Sequence, residues 1–102
     1  MQPKIKTNEN GNYAIEGELN NQTVPDISKQ LLTLIPAVEG KNITMDLALV
    51  SRSDSAGVAL LVEVMQLAKS ANLNLLFTNL PQQMKDIAGL SGLLDILPVN
   101  KN

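Results

Sequence analysis

The residues best suited to chemistry crowd into one stretch of this 102-residue chain, Ser51-Arg-Ser-Asp-Ser-Ala-Gly57, with Asp46 just upstream. Hydroxyls, a guanidinium and two carboxylates sit there together, so nucleophilic, acid–base and metal chemistry each have to be weighed. A serine nucleophile needs a base to take its proton. The chain has no histidine, and no lysine lies near Ser55 in sequence. Asp46 and Asp54 flank the stretch like a carboxylate pair, but Asp46 ends an apolar strand pattern and Asp54 precedes a helical one. Strand end and helix cap are the roles those positions imply. The absence of cysteine removes thiolate nucleophiles, zinc–sulfur sites and disulfides. No GxxxxGK[ST] loop is present to cradle a phosphate. These residues imply no catalysis, no metal and no cofactor, and leave Ser55 as a contact or modifiable hydroxyl.

A helix start is a distinctive place for that hydroxyl. The first four backbone N–H groups of a helix have no internal partner, and the aligned peptide dipoles leave partial positive charge there. Asp54 or Ser53 is a natural N-cap, which puts Ser55 in the first turn, facing solvent or a partner. A phosphate on Ser55 would add about two negative charges at the positive end of the dipole. The fold should tolerate that, whereas a partner packed against a neutral hydroxyl should not, because desolvating the charge is costly.

The elements that position this stretch follow from apolar spacing. Ile5 to Thr7 predicts a short strand, and Asn8-Glu-Asn-Gly11 has the composition of a hairpin turn. Tyr13, Ile15 and Leu19 alternate with Ala14, Glu16 and Glu18, predicting a half-buried strand with Gly17 as a bulge. Thr23-Val-Pro-Asp26 fits a capping box ahead of an apolar stripe, Ile27, Leu31, Leu34, Ile35 and Val38, which Pro36 and Gly40 should end. Ile43, Met45 and Leu47 predict a strand buried on both faces. From Ser55 to Ala71, Leu60, Leu61, Val64, Leu67 and Ala68 share one helical face, with Glu63, Gln66 and Ser70 opposite. Val58, Val62 and Met65 fall on the flank beside Ser55, an apolar ridge next to the helix start. Asn72 is the expected stop, and residues 73–78 predict another buried strand. Pro81 should open a third helix with Met84, Ile87, Ala88 and Leu90 inward, broken at Ser91-Gly92. A last apolar turn, residues 93–97, should follow.

The order strand, strand, helix, strand, helix, strand, helix predicts an α/β domain: a small mixed sheet of four to five strands with helices mainly on one side. At 102 residues, with 44% hydrophobic and 18% charged residues, residues 1–102 read as a single domain. Partner sites in such sheets lie beyond the carboxyl ends of the strands, where residues 47–55 fall. A net charge of −2 with scattered basic residues argues against nucleic acid and acidic lipid surfaces. The N-terminal residues lack the apolar core of a signal peptide, and no stretch approaches the ~18 apolar residues of a span. A cytoplasmic chain without direct membrane insertion is the expectation.

Met45-Asp-Leu-Ala-Leu-Val-Ser-Arg-Ser-Asp-Ser-Ala-Gly57 and its apolar helix resemble the STAS domain shared by anti-anti-sigma factors and transporter-associated proteins. The closing stretch Ile87-Ala-Gly-Leu-Ser-Gly-Leu-Leu-Asp-Ile-Leu-Pro-Val99 is similar too. Asp46-Leu-x-x-Val-Ser-Arg-x-Asp54, a hydroxyl and a small residue before Gly57, with Leu67-Ala-Lys69, most resembles the MlaB group, cytoplasmic STAS subunits of Gram-negative phospholipid ABC transporters. That resemblance implies a STAS fold, a non-catalytic role in outer-membrane lipid asymmetry, and the transporter's ATPase subunit as partner. It places the chain at the inner membrane only through that complex. The helix starting at Ser55 would be the contact, with Asp54 as cap and Val58, Val62 and Met65 flanking. Ser55 also matches the phosphorylated serine of anti-anti-sigma factors, which implies the alternative of a regulator switched by a serine kinase that is also an anti-sigma factor. A stand-alone nucleotide-binding STAS module is a third reading.

Overall fold

The computed structural model describes residues 3–9 and 11–99. Eight elements follow in chain order: β1 (Lys4–Glu9), β2 (Asn12–Leu19), α1 (Val24–Leu34), β3 (Asn42–Asp46), β4 (Val50–Ser53), α2 (Ser55–Ser70), β5 (Asn74–Thr78) and α3 (Gln82–Leu90). The expected hairpin turn centres on Asn10, which lies outside the described residues, as do Met1 and Gln2 of the expected leaderless N-terminus.

The sheet runs β1-β2-β3-β5, and β4 adds a fifth strand against β2. β1 and β2 are antiparallel, while β3 and β5 run parallel to their neighbours, giving the mixed sheet that the element order predicts. β2 organises it. Its first half pairs with β3, and beyond a register shift at Gly17 its last residues pair with β4. Gly17 has φ +112°, which L side chains rarely adopt, so β2 needs glycine at the shift, while the extra residue, Ser51, lies on β4.

One parity of side chains faces the helices: Tyr13, Ile15 and Leu19 from β2, Ile43 and Met45 from β3, and Phe77 from β5, all in one core with the apolar faces of α1, α2 and α3. α2 lies between the other two helices and also touches β4 and β5. The opposite sheet face is polar and uncovered, so β3 is fully buried on one face only, Thr44 and Asp46 being half-buried. β5 differs more from expectation. Of its residues only Phe77 is buried, and Leu76, opposite Thr44 in the register, is exposed because it lies on the sheet face that no helix covers. The carboxy-terminal segment pairs with it through a parallel bridge between Phe77 and Val99. On the polar face Lys6 and Glu16 form an ion pair of 2.9 Å. The hydrogen bond from Lys6, then its charge, lowers the Glu16 carboxyl below its ordinary pKa.

The helix ends are set by local chemistry. α2 stops in a Schellman turn: Asn72 takes φ +59°, its N–H donates to Lys69 O, and the Leu73 N–H donates to Ala68 O. α1 ends at Leu34, two residues before Pro36. α3 ends at Leu90, and Leu90 is 92% exposed instead of inward, since about 200° of helix rotation separates it from the buried Ala88.

Candidate functional site

The stretch read as a turn is in part a strand. Val50–Ser53 forms β4, and the Asp54 N–H donates to Leu19 O at 3.1 Å, so the end of β4 is stitched to the end of β2. The chain then enters α2 directly. Asp54 is the N-cap, with extended backbone, and its carboxylate accepts the Ala56 N–H at 2.8 Å. Ser55 is the first helical residue and exposed, and among the described residues its hydroxyl has no hydrogen-bond partner. The cap is thus supplied by the acid, and the hydroxyl stays free.

Three contacts hold this corner from beneath. Ser53 is buried, and its hydroxyl donates to Asp54 O at 3.0 Å. Its N–H donates to the side-chain oxygen of Gln83, at the start of α3, at 2.8 Å. Gly57 gives the room. A Cβ at that position would collide with the Ser53 hydroxyl and come within 3.1 Å of Leu19 Cβ. Asp46 lies in a different arrangement: its carboxylate accepts the Ala48 N–H and the Asn79 amide, closing the turn after β3. Each aspartate has a backbone-shaping role. Among the described residues no group of His, Cys, Asp and Glu could hold a metal.

The apolar flank requires a correction. Val58 is 2% exposed and belongs to the core. Because α2 is flanked by α1 and α3 as well as covering the sheet, its buried arc is wider than a one-sided helix has, and Val58 falls inside it. Val62 and Met65 are half-buried and rest on the core. The exposed line running up from Ser55 continues instead through Ala59 to Gln66, with Val62 beside it. Met65 sits about 15 Å along the axis from Ser55 at 1.5 Å per residue, lining a groove of about 340 Å3 with Leu75 and Ile96. Glu63, expected to face away from the core, reaches α1, where its carboxylate accepts the Ser28 hydroxyl.

Spacing had no means to find Gln83, thirty positions from Ser53 in the chain. Ala59 was within reach, being one helical turn on from Ser55. A shallow cleft of about 160 Å3 opens beside the helix start, where Glu18, Arg52, Asp54 and Gln83 converge. It joins the carboxyl ends of β2 and β4, the location expected for a partner site in a sheet of this kind.

A free hydroxyl on a capped helix start thus lies beyond the carboxyl ends of the strands of an α/β scaffold. The family profile described as "Mlab, STAS domain" matches residues 6–98, so the chain belongs to the STAS domain family. No curated protein matches the sequence. Among solved structures, the anti-sigma factor antagonist SpoIIAA in its unphosphorylated form superposes with a TM-score of 0.73 at 20% identity, over 98% of this chain and 89% of that one. The phosphorylated form of the Bacillus cell-fate determinant SpoIIAA gives 0.69 at 20% identity, over 98% and 92%. A serine-to-glutamate variant of RsbS from Moorella thermoacetica gives 0.71 at 20% identity, over 100% and 88%. At these identities the likeness is one of fold: a mixed five-strand sheet with three helices.

Proposed function

We propose that this chain is a non-catalytic STAS subunit that docks on, and stabilises or activates, the ATPase of a phospholipid-transport ABC system serving outer-membrane lipid asymmetry. The observation that carries the proposal is the match of residues 6–98 to the Mlab-type STAS profile. The start of α2 is the contact centre: the uncommitted Ser55 hydroxyl with Asp54 as its cap, and Val62 and Met65 further along the helix, while Val58 supports them from inside. No helix among the described residues is long and apolar enough to cross a membrane. Attachment to the inner membrane, from the cytoplasmic side, would then come through the transporter.

A second reading has its own support. The exposed, unpartnered Ser55 hydroxyl suits a kinase, and two of the similar folds are of an anti-sigma factor antagonist solved with and without phosphate. In that reading the chain is an anti-anti-sigma regulator and its partner a serine kinase that is also an anti-sigma factor.

Affinity capture of the tagged protein from its own cells, beside Ser55→Glu, separates the two. Recovery of an ABC ATPase with its permease, lost in Ser55→Glu while the unfolding free energy stays within about 0.5 kcal/mol of wild type, supports the transporter subunit. Recovery of a serine kinase, with phosphate on Ser55, replaces it with the sigma-pathway switch. Unfolding of Ser55→Glu would make the hydroxyl structural and remove the site.

A further inference from the structure

Among the described residues β4 pairs with β2 and with no other strand, so it has a partner strand on one side only. Successive N–H groups of a strand point to opposite sides. The Asp54 N–H turns to Leu19 O, so the Ser53 N–H turns away from β2, where no strand follows. Ser53 is 4% exposed, and an N–H left unbonded in such a place is destabilising. The group that accepts it is the side chain of Gln83, the second residue of α3, at 2.8 Å. One long-range side-chain bond therefore ties α3 to the residue immediately before the Asp54 cap.

We propose that Gln83 is a positioning residue for the docking surface: by accepting the Ser53 N–H it holds the 52–55 corner against α3 and fixes the direction in which Ser55 is presented. Gln83 is itself exposed and lines the cleft beside Arg52 and Asp54. Its loss creates no core cavity, so its effect should fall mainly on the corner, through the Ser53 N–H it leaves unbonded. The inference rests on the docking function proposed above as far as partner binding goes, and on the geometry alone as far as the corner goes.

The chemistry makes two variants informative. Gln83→Ala removes the acceptor. Gln83→Glu keeps an acceptor oxygen and puts an acid in the first turn of α3, where the helix dipole favours it. The experiment reads amide hydrogen exchange at Ser53 and the affinity of the purified variants for the ATPase captured by the wild type, with Ser55→Glu in parallel. In Gln83→Ala, Ser53 exchange should accelerate about tenfold and affinity fall about three- to tenfold, as expected for one hydrogen bond, with a modest fall in the unfolding midpoint from the unsatisfied Ser53 N–H. Gln83→Glu should restore both. Unaltered Ser53 exchange in Gln83→Ala, or loss of protection in Gln83→Glu, overturns the positioning role. A change in exchange without a change in affinity, while Ser55→Glu still abolishes binding, overturns its bearing on the partner. If Ser55→Glu binds as tightly as wild type, the docking proposal fails and the exchange result alone judges the corner.

Discussion

The starts of α1 and α2 carry similar sequence, a hydroxyl and an acid ahead of an apolar helix, and the structure uses them in opposite ways. At α1 the Thr23 hydroxyl is turned back into the preceding loop. It donates to Glu18 O at 2.9 Å and accepts the Asn20 N–H at 2.9 Å. The Asn20 side chain accepts the N–H groups of Gln22 and Thr23, and Thr23 makes no side-chain cap, so the expected capping box does not form. At α2 the carboxylate of Asp54 caps and the Ser55 hydroxyl is left over. The difference lies in how the chain arrives. α1 follows a short reversal in which the side chains of Asn20 and Thr23 close the loop onto the end of β2. α2 follows directly from β4, whose backbone is held by Leu19 and Gln83, so the Ser55 side chain is not needed to close a loop. A hydroxyl at a helix start is available for recognition only when something else has built the corner.

Five substitutions would break or sharpen that contrast. The largest effect belongs to Leu61→Ala, in the core on which both corners rest. It should destabilise the domain by about 2–5 kcal/mol, read as a lowered denaturation midpoint, and loosen both corners together. Gly57→Ala strikes only the α2 corner. Its methyl group meets Ser53 and Leu19, and overpacking of this kind costs about 1–3 kcal/mol, with faster amide exchange at Ser53 and Asp54 but not at Thr23.

Deletions of the acceptor side chain at each corner come next, the loop-closing Asn20 before α1 and the cap Asp54 of α2. Asn20→Ala and Asp54→Ala should each cost about 0.5–2 kcal/mol, but only Asp54→Ala should also weaken capture of the partner. Equal loss of binding in both would erase the distinction between a structural and a recognition corner. The smallest effect is a control away from both, Glu16→Gln. Because the Lys6 ammonium lowers the Glu16 pKa in the folded protein, the pair stabilises above the ordinary carboxylate pKa, and that contribution is lost as pH falls through the lowered value. Removing it should flatten the acid limb of the stability profile slightly, an effect that added salt should screen, with binding untouched.

What was legible in the sequence was local. The Asp54 cap, the Asn72 stop, the irregularity at Gly17 and the end of α1 ahead of Pro36 all follow from groups a few bonds apart, where a carboxylate or a backbone angle acts within its own turn. The alternation of apolar residues along β2 and β3 and the stripe of α2 were enough for the α/β order of elements, and the 45–57 stretch was enough for the STAS family.

Tertiary packing decided the rest. Val50-Ser-Arg-Ser53 has too few apolar residues to announce a strand, and becomes one only because the end of β2 lies beside it. Val58 changed from ridge to core because two helices flank α2, and Leu90 and Leu76 stayed exposed because nothing covers them. Thr23 gave its hydroxyl to a loop, and Gln83 reached a backbone group thirty residues away. Such outcomes depend on which unsatisfied backbone groups and uncovered apolar surfaces the fold brings within a few ångströms of each other, and periodicity along the chain does not encode that proximity.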